Sequence, residues 1–139
     1  MTHATDAALL VDADSHVLEP PDLWSRYVEP RFRDRAVRVV RADAGHDVLL
    51  VDGKPAKLTT PEMLGDFGGM GRTLDEQANA ALSGRYADNA PAAATDPRAR
   101  IAQLDREGVA ATVLYPSLGL QWPAETTDAA YVHANLVAY

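Results

Sequence analysis

The chain has 139 residues, a formal net charge of −7 and no cysteine. That length suits one domain with one core, and the missing thiols exclude a disulfide framework or a thiolate metal site in these residues. The acidic balance, with no basic cluster beyond the scattered arginines of "EPRFRDRAVRVVR", argues against nucleic-acid or anionic-membrane partners, which need a basic face to displace counterions.

"MTHATDAALLVDAD" lacks a basic segment followed by a long apolar run, so no leader peptide is expected. No stretch is long enough to span a bilayer, and a cytoplasmic location is the expectation. Residues 7–17 form a short apolar run with Val and Leu, followed by turn chemistry at Glu19-Pro20-Pro21, and predict a strand. Pro21 or Asp22 then starts a short helix, "PDLWSRYV", stopped by Glu29-Pro30, with Trp24 anchoring it to the core. "AVRVV" and "HDVLLV", separated by "RADAG" and followed by the hairpin signal Asp52-Gly53 before "KPAKL", predict an antiparallel meander over residues 37–58, with Pro55 confined to an edge.

Residues 60–94 read as loop and linker with one helix. "GDFGGMGR" holds four glycines and predicts a loop or flexible lid. It lacks the Gly-Lys-Ser/Thr ending of a phosphate loop and follows no clear strand. "TLDEQANAALSGRY" predicts a helix capped by Thr73, and "ADNAPAAATD" a linker. In "TDPRARIAQLDREGV", Asp96 suits the cap, Pro97 the first helical position and Gly108 the stop. Ile101 and Leu104 supply that helix's apolar stripe. "VAATVLYP" predicts a second buried strand. After "SLGLQWPAE", a last helix begins near Thr126 or Thr127 and runs through "DAAYVHANLVAY" to Tyr139, without the glycine or basic last turn that usually marks a stop. Strand, helix, strand, helix, with a meander inserted after the first strand, is the pattern of parallel α/β architecture.

The chemistry lies in "VDADSHVLEP". Side chains alternate across a strand, so Asp12, Asp14 and His16 are predicted on one face and Val11, Ala13, Ser15 and Val17 on the other. Two carboxylates and an imidazole inside a core are costly unless a cation or paired donors satisfy them. Carboxylate oxygen and imidazole nitrogen suit Zn²⁺, Mn²⁺ or Fe²⁺, and residues two apart on a strand reach one ion. The same stripe also fits the solvated face of an edge strand, and the spacing alone leaves both readings open.

"DADSHVLEPPDLWSRYVEPRFRDRA" followed by "GVAATVLYPSLGL" resembles the amidohydrolase-related family, the branch of the amidohydrolase superfamily that includes the aminocarboxymuconate-semialdehyde and resorcylate decarboxylases. The resemblance covers most of the chain outside residues 60–94 and is most specific at residues 13–24 and 109–120. It implies a metal-bearing (β/α)8 TIM barrel whose first strand carries a His-x-His pair, or an acidic-x-His variant, on the ion. Here the pair falls on Asp14 and His16, and Asp12 matches an acid of structural rather than ligating character.

The family's remaining ligands and its acid/base residue, usually two histidines and an aspartate, lie on later barrel strands. The other histidines here do not match them: His3 sits in the amino-terminal stretch, His46 in the meander's turn, His133 in the last helix. A complete barrel takes about 250 residues, and only two barrel-type strands are counted in this chain. The resemblance therefore implies an α/β fold that is a single incomplete domain over residues 1–139. It would be the first one to two βα units of a partial TIM barrel with an inserted β-meander, its catalytic residues lying beyond Tyr139.

The implied cofactor is a divalent metal, Zn²⁺ or Mn²⁺, and the implied substrate a small organic acid or amide. The reaction is either hydrolysis of a C–N or C–O bond or decarboxylation of a small unsaturated or aromatic acid, with the chain inactive by itself. The competing expectation is a non-catalytic α/β fragment acting as an interaction module. Either way an open sheet edge and uncovered apolar surface point to a homo-oligomer or to pairing with a missing carboxyl-terminal part. Two more residues are candidates for substrate contact. Glu19 follows the first strand, where barrel loops carry function, or is simply solvated. Trp122, beyond the second strand, either stacks on an aryl or dienyl acid or packs its loop down.

Overall fold

The computed structural model describes residues 9–139; His3 and the expected strand start at Ala7 lie outside the described residues. Strand β1 (Leu10–Val17) leads into helix α1 (Leu23–Tyr27), and a 3-10 turn follows at Pro30–Arg35. The meander then forms as predicted: β2 (Arg38–Arg41), β3 (Asp47–Val51) and β4 (Lys54–Pro55) pair antiparallel, with Val39 opposite Leu49 and Leu50 opposite Pro55. Asp52 and Gly53 both take positive φ, 54° and 72°, the conformation a two-residue hairpin turn demands. Pro55 occupies the edge strand, where no ladder donor is needed.

Residues 60–94 are more helical than their composition predicts. Thr60 caps helix α2 (Pro61–Gly69) by accepting from the Met63 amide, so the glycine-rich stretch read as a loop is mostly helix. The reason is close packing. A Cβ on Gly65 would lie 2.3 Å from the Ala80 carbonyl oxygen, and one on Gly68 equally near the Tyr86 carbonyl oxygen. These glycines allow α2 to lie directly against helix α3 (Leu74–Ser83) and the chain that follows it. Thr73 and Glu76 form the reciprocal capping box of α3. The linker contains one short helical turn, α4 (Ala92–Thr95).

Helix α5 (Pro97–Glu107) starts and stops where predicted. Asp96 accepts from the Arg98 amide at 2.9 Å, and Gly108 takes the left-handed conformation. Its apolar stripe is only partly covered: Leu104 is half-buried, but Ile101 is exposed. Strand β5 (Val109–Pro116) then returns parallel to β1, the two-stranded parallel sheet of the fold. A short helix α6 (Leu118–Gln121), a 3-10 turn (Trp122–Glu125) and helix α7 (Ala129–Val137) close the chain, with Asp128 capping α7.

The core does not sit on the parallel sheet. It lies where α1, the meander, α2 and α7 meet, around Trp24, Leu49, Leu64, Trp122 and Tyr131, all without appreciable exposure. Trp24 meets Trp122 edge-on at 6.3 Å between centroids, and Trp122 meets Tyr131 likewise at 6.2 Å. Helix α7 is fastened to the meander by polar groups as well. The Tyr131 hydroxyl accepts from the Asp52 amide at 2.8 Å, and the Asn135 side-chain oxygen accepts from the Val37 amide at 3.3 Å. The parallel strands themselves, expected to be buried, carry exposed Leu10, Val11, Val113, Leu114 and Tyr115. Two strands provide no second layer to cover them.

Candidate metal centre at the end of the first strand

Strand β1 departs from simple alternation where the chemistry lies. Asp12 is opposite Thr112, yet Ser15 is already opposite Leu114, so β1 holds one extra residue across Ala13 and Asp14. Such a bulge bends the strand and re-aims side chains. Asp12 supplies the local partners: its carboxylate accepts from the Asp14 amide at 3.0 Å and from the Ser15 hydroxyl. Ser15, predicted on the face opposite Asp12, therefore joins it. The Asp12 carboxyl is held below its ordinary range, first by the Ser15 hydroxyl and next by the Asp14 amide, with the Arg100 charge adding to both.

Past the bulge, Asp14 and His16 come together. Asp14 Oδ1 lies 3.7 Å from His16 Nε2, with the Asp14 side chain 84 % exposed and that of His16 31 %. The pair is thus in an open cleft rather than inside a core. His16 Nδ1 is 3.0 Å from the Pro116 carbonyl oxygen. A carbonyl oxygen only accepts, so Nδ1 carries a proton, and in the neutral ring it is Nε2 that presents a lone pair toward Asp14. The backbone around His16 is also pinned: Arg100 Nη2 donates to its carbonyl oxygen at 2.6 Å.

A lone pair facing a carboxylate oxygen invites a cation between them. Bonds of about 2.1 Å from each ligand reach across as much as about 4.2 Å, so one ion can touch both atoms. The donor set, one imidazole nitrogen oriented by a backbone carbonyl and one carboxylate oxygen, fits Zn²⁺ or Mn²⁺ chemistry. Among the described residues no group of three or more His, Asp or Glu side chains is arranged to hold a metal, so the described residues offer a pair of candidate ligands here. The pair borders a cleft of about 400 Å³ whose other walls come from Gly71, Pro91, Ala94, Arg100 and Leu104.

Glu19 and Trp122 lie elsewhere. Glu19 is 2 % exposed, against the expectation of a pocket-mouth or solvated carboxylate. Its Oε1 accepts from the Ser117 and Gly119 amides at 3.1 and 2.9 Å, and its Oε2 from the Leu118 amide at 3.1 Å and the Tyr86 hydroxyl at 3.4 Å. The carboxylate ties the turn after β1 to the turn after β5, and its lone pairs are committed there. Burial first, and then the Glu19 charge, push the Tyr86 phenol up, which keeps it a donor. Trp122 is fully buried against Trp24 and Tyr131; its indole faces the core and not the cleft. His133 is on the exposed face of α7, and His46 is half-buried in the meander's turn.

The residues that orient the pair, Arg100 and the Pro116 carbonyl, have no local sequence signal, because each acts across 84 or 100 positions. The bulge had one: Asp followed two and three residues later by an amide and a hydroxyl is a side-chain turn pattern.

Among solved structures, an amidohydrolase from Mycobacterium avium subsp. paratuberculosis superposes on this chain with a TM-score of 0.66 and 21 % sequence identity. The chain has the fold of part of an amidohydrolase. The match covers 94 % of this chain and 36 % of that one, so the chain spans little more than a third of the length of the structure it matches. At this identity the likeness is one of fold, and the closed barrel is not formed by the two parallel strands described here. No family model and no curated protein matches the chain. Among the described residues no helix is long and apolar enough to cross a membrane.

Proposed function

We propose that this chain is the amino-terminal part of a metal-dependent amidohydrolase-like enzyme acting on a small organic acid or amide. The observation that carries the reading is the approach of His16 Nε2 to Asp14 Oδ1, with the other imidazole nitrogen fixed by the Pro116 carbonyl. It occurs at the carboxyl end of the first strand of an amidohydrolase-like fold, the end at which barrel enzymes place their chemistry.

Asp14 and His16 hold the ion, and the Pro116 carbonyl keeps the imidazole in the ligating tautomer. A Zn²⁺ or Mn²⁺ ion bound there supplies Lewis acidity toward a substrate carbonyl or carboxylate and lowers the pKa of bound water. Both hydrolysis of a C–N or C–O bond and decarboxylation of an unsaturated or aromatic acid fit that chemistry, and the acid/base group that separates them is not in this pair. Two ligands leave the site open, so the chain alone is inactive, and further ligands come from polypeptide that continues the sheet.

The exposed apolar residues of β5, Val113, Leu114 and Tyr115 at 42 to 47 % exposure, support this incompleteness. They equally favour a second reading, a non-catalytic module whose sheet is covered by another copy or another chain. Metal content separates the two. Purified without chelator, the chain is expected to carry Zn²⁺ or Mn²⁺, and Asp14→Ala and His16→Ala each to lower that affinity by more than about tenfold. Metal in the parent no higher than in either variant favours the non-catalytic module and removes Asp14 and His16 as a metal pair in this chain.

A further inference from the structure

We infer that Asp12 is a positioning residue whose side chain builds the bulge that brings Asp14 onto His16. The inference rests on the proposed metal reading of that pair. In an unbulged strand the Asp12 carboxylate and the Ser15 hydroxyl lie on opposite faces. Here they are hydrogen-bonded, and the Asp14 amide donates to the same carboxylate. Both contacts fall inside the second of the two register shifts of the β1–β5 ladder, between Asp12 and Ser15. Asp12 thereby gives the Asp14 amide and the Ser15 hydroxyl partners at the point where the ladder to β5 is interrupted, between Asp12–Thr112 and Ser15–Leu114.

The far side of the bulge is held independently. Arg100 and the Pro116 carbonyl fasten His16 through its backbone oxygen and its Nδ1. His16 is therefore fixed by β5 and α5, and Asp14 is fixed by Asp12. The two halves of the pair have separate supports, and removing the Asp12 side chain frees the Asp14 amide and the Ser15 hydroxyl while leaving the contacts of His16 in place. Each Asp12 oxygen accepts from one donor of the bulge. In this inference Asp12 acts through Asp14.

Calorimetric titration of the full chain with Zn²⁺ tests this. Asp12→Ala is expected to weaken Zn²⁺ by about tenfold to a hundredfold, the range of orienting partners of metal ligands. Asp12→Asn keeps an acceptor for the Asp14 amide and is expected to restore affinity to within about threefold of the parent. Ser15→Ala, which removes one donor to the same carboxylate, is expected to weaken binding several-fold. Asn failing to rescue points to the negative charge rather than the geometry and overturns the inference, as does Asp12→Ala binding like the parent. If Asp12→Ala does not fold, the Asn and Ser15→Ala variants decide alone. Equal binding by the parent, Asp14→Ala and His16→Ala instead removes the metal reading itself, a result distinct from the failure of Asp12 as its support.

Discussion

Glu19 is the side chain whose surroundings are most unlike its sequence context. Beside two prolines at the end of a strand it reads as a surface or pocket-mouth acid, and in the structure it receives three backbone amides and a phenol. Its partners come from 67 to 100 residues further along the chain, so no window around it contains the information. Glu19→Ala leaves those buried donors without acceptors, and each such group costs roughly 1–3 kcal/mol. Urea unfolding is expected to show a loss on the order of 3 kcal/mol or more, with Glu19→Gln near half of it. A loss within 0.5 kcal/mol, taken as roughly the scatter of ordinary surface substitutions, contradicts the buried-clamp description. Asp14 and His16 stand at the opposite extreme: the resemblance implied a pair there while spacing left the solvated reading open, and the two lie 3.7 Å apart past a bulge that breaks the alternation from which the shared face was argued.

At the level of elements, the chain announces its helices through their ends. Asp96, Pro97 and Gly108 bracket α5, and Thr73 opens α3, because caps act within one turn and their signals are local. Helix α2 was hidden for the complementary reason. Glycine lowers helix propensity, so Gly65, Gly68 and Gly69 suggested a loop, whereas the structure uses their missing side chains to seat α3. Gly65→Ala improves local propensity yet places a methyl 2.3 Å from the Ala80 carbonyl oxygen. The prediction is a net destabilisation of about 1–3 kcal/mol, read as a lower urea midpoint at unchanged slope. A stabilised variant shows that α2 and α3 are not in this contact.

For the molecule as a whole, stability and chemistry are separated. The aromatic core is gathered by the meander and the last helix, while the candidate site lies on a two-stranded sheet with exposed apolar residues on both strands. Amide hydrogen exchange reads such a gradient directly. Slow exchange is expected in α7 and β3, and exchange at least about tenfold faster in β5 and the first half of β1, which few contacts cover. Uniform protection across both regions argues that the sheet is closed over in solution. The parallel pairing of the two strands was legible in the strand–helix–strand order; the concentration of the core elsewhere was not, since it depends on how a long insertion folds back on itself.

His16 and the oxygen that orients it are 100 residues apart. A growing polypeptide emerging amino terminus first presents Asp14 and His16 long before Pro116 exists to direct the imidazole or Arg100 to hold its carbonyl. For most of synthesis the two side chains are therefore ordinary solvated groups, and an ion captured at that stage meets no prepared cradle. The proposed cradle is therefore complete only once β5 has docked against β1.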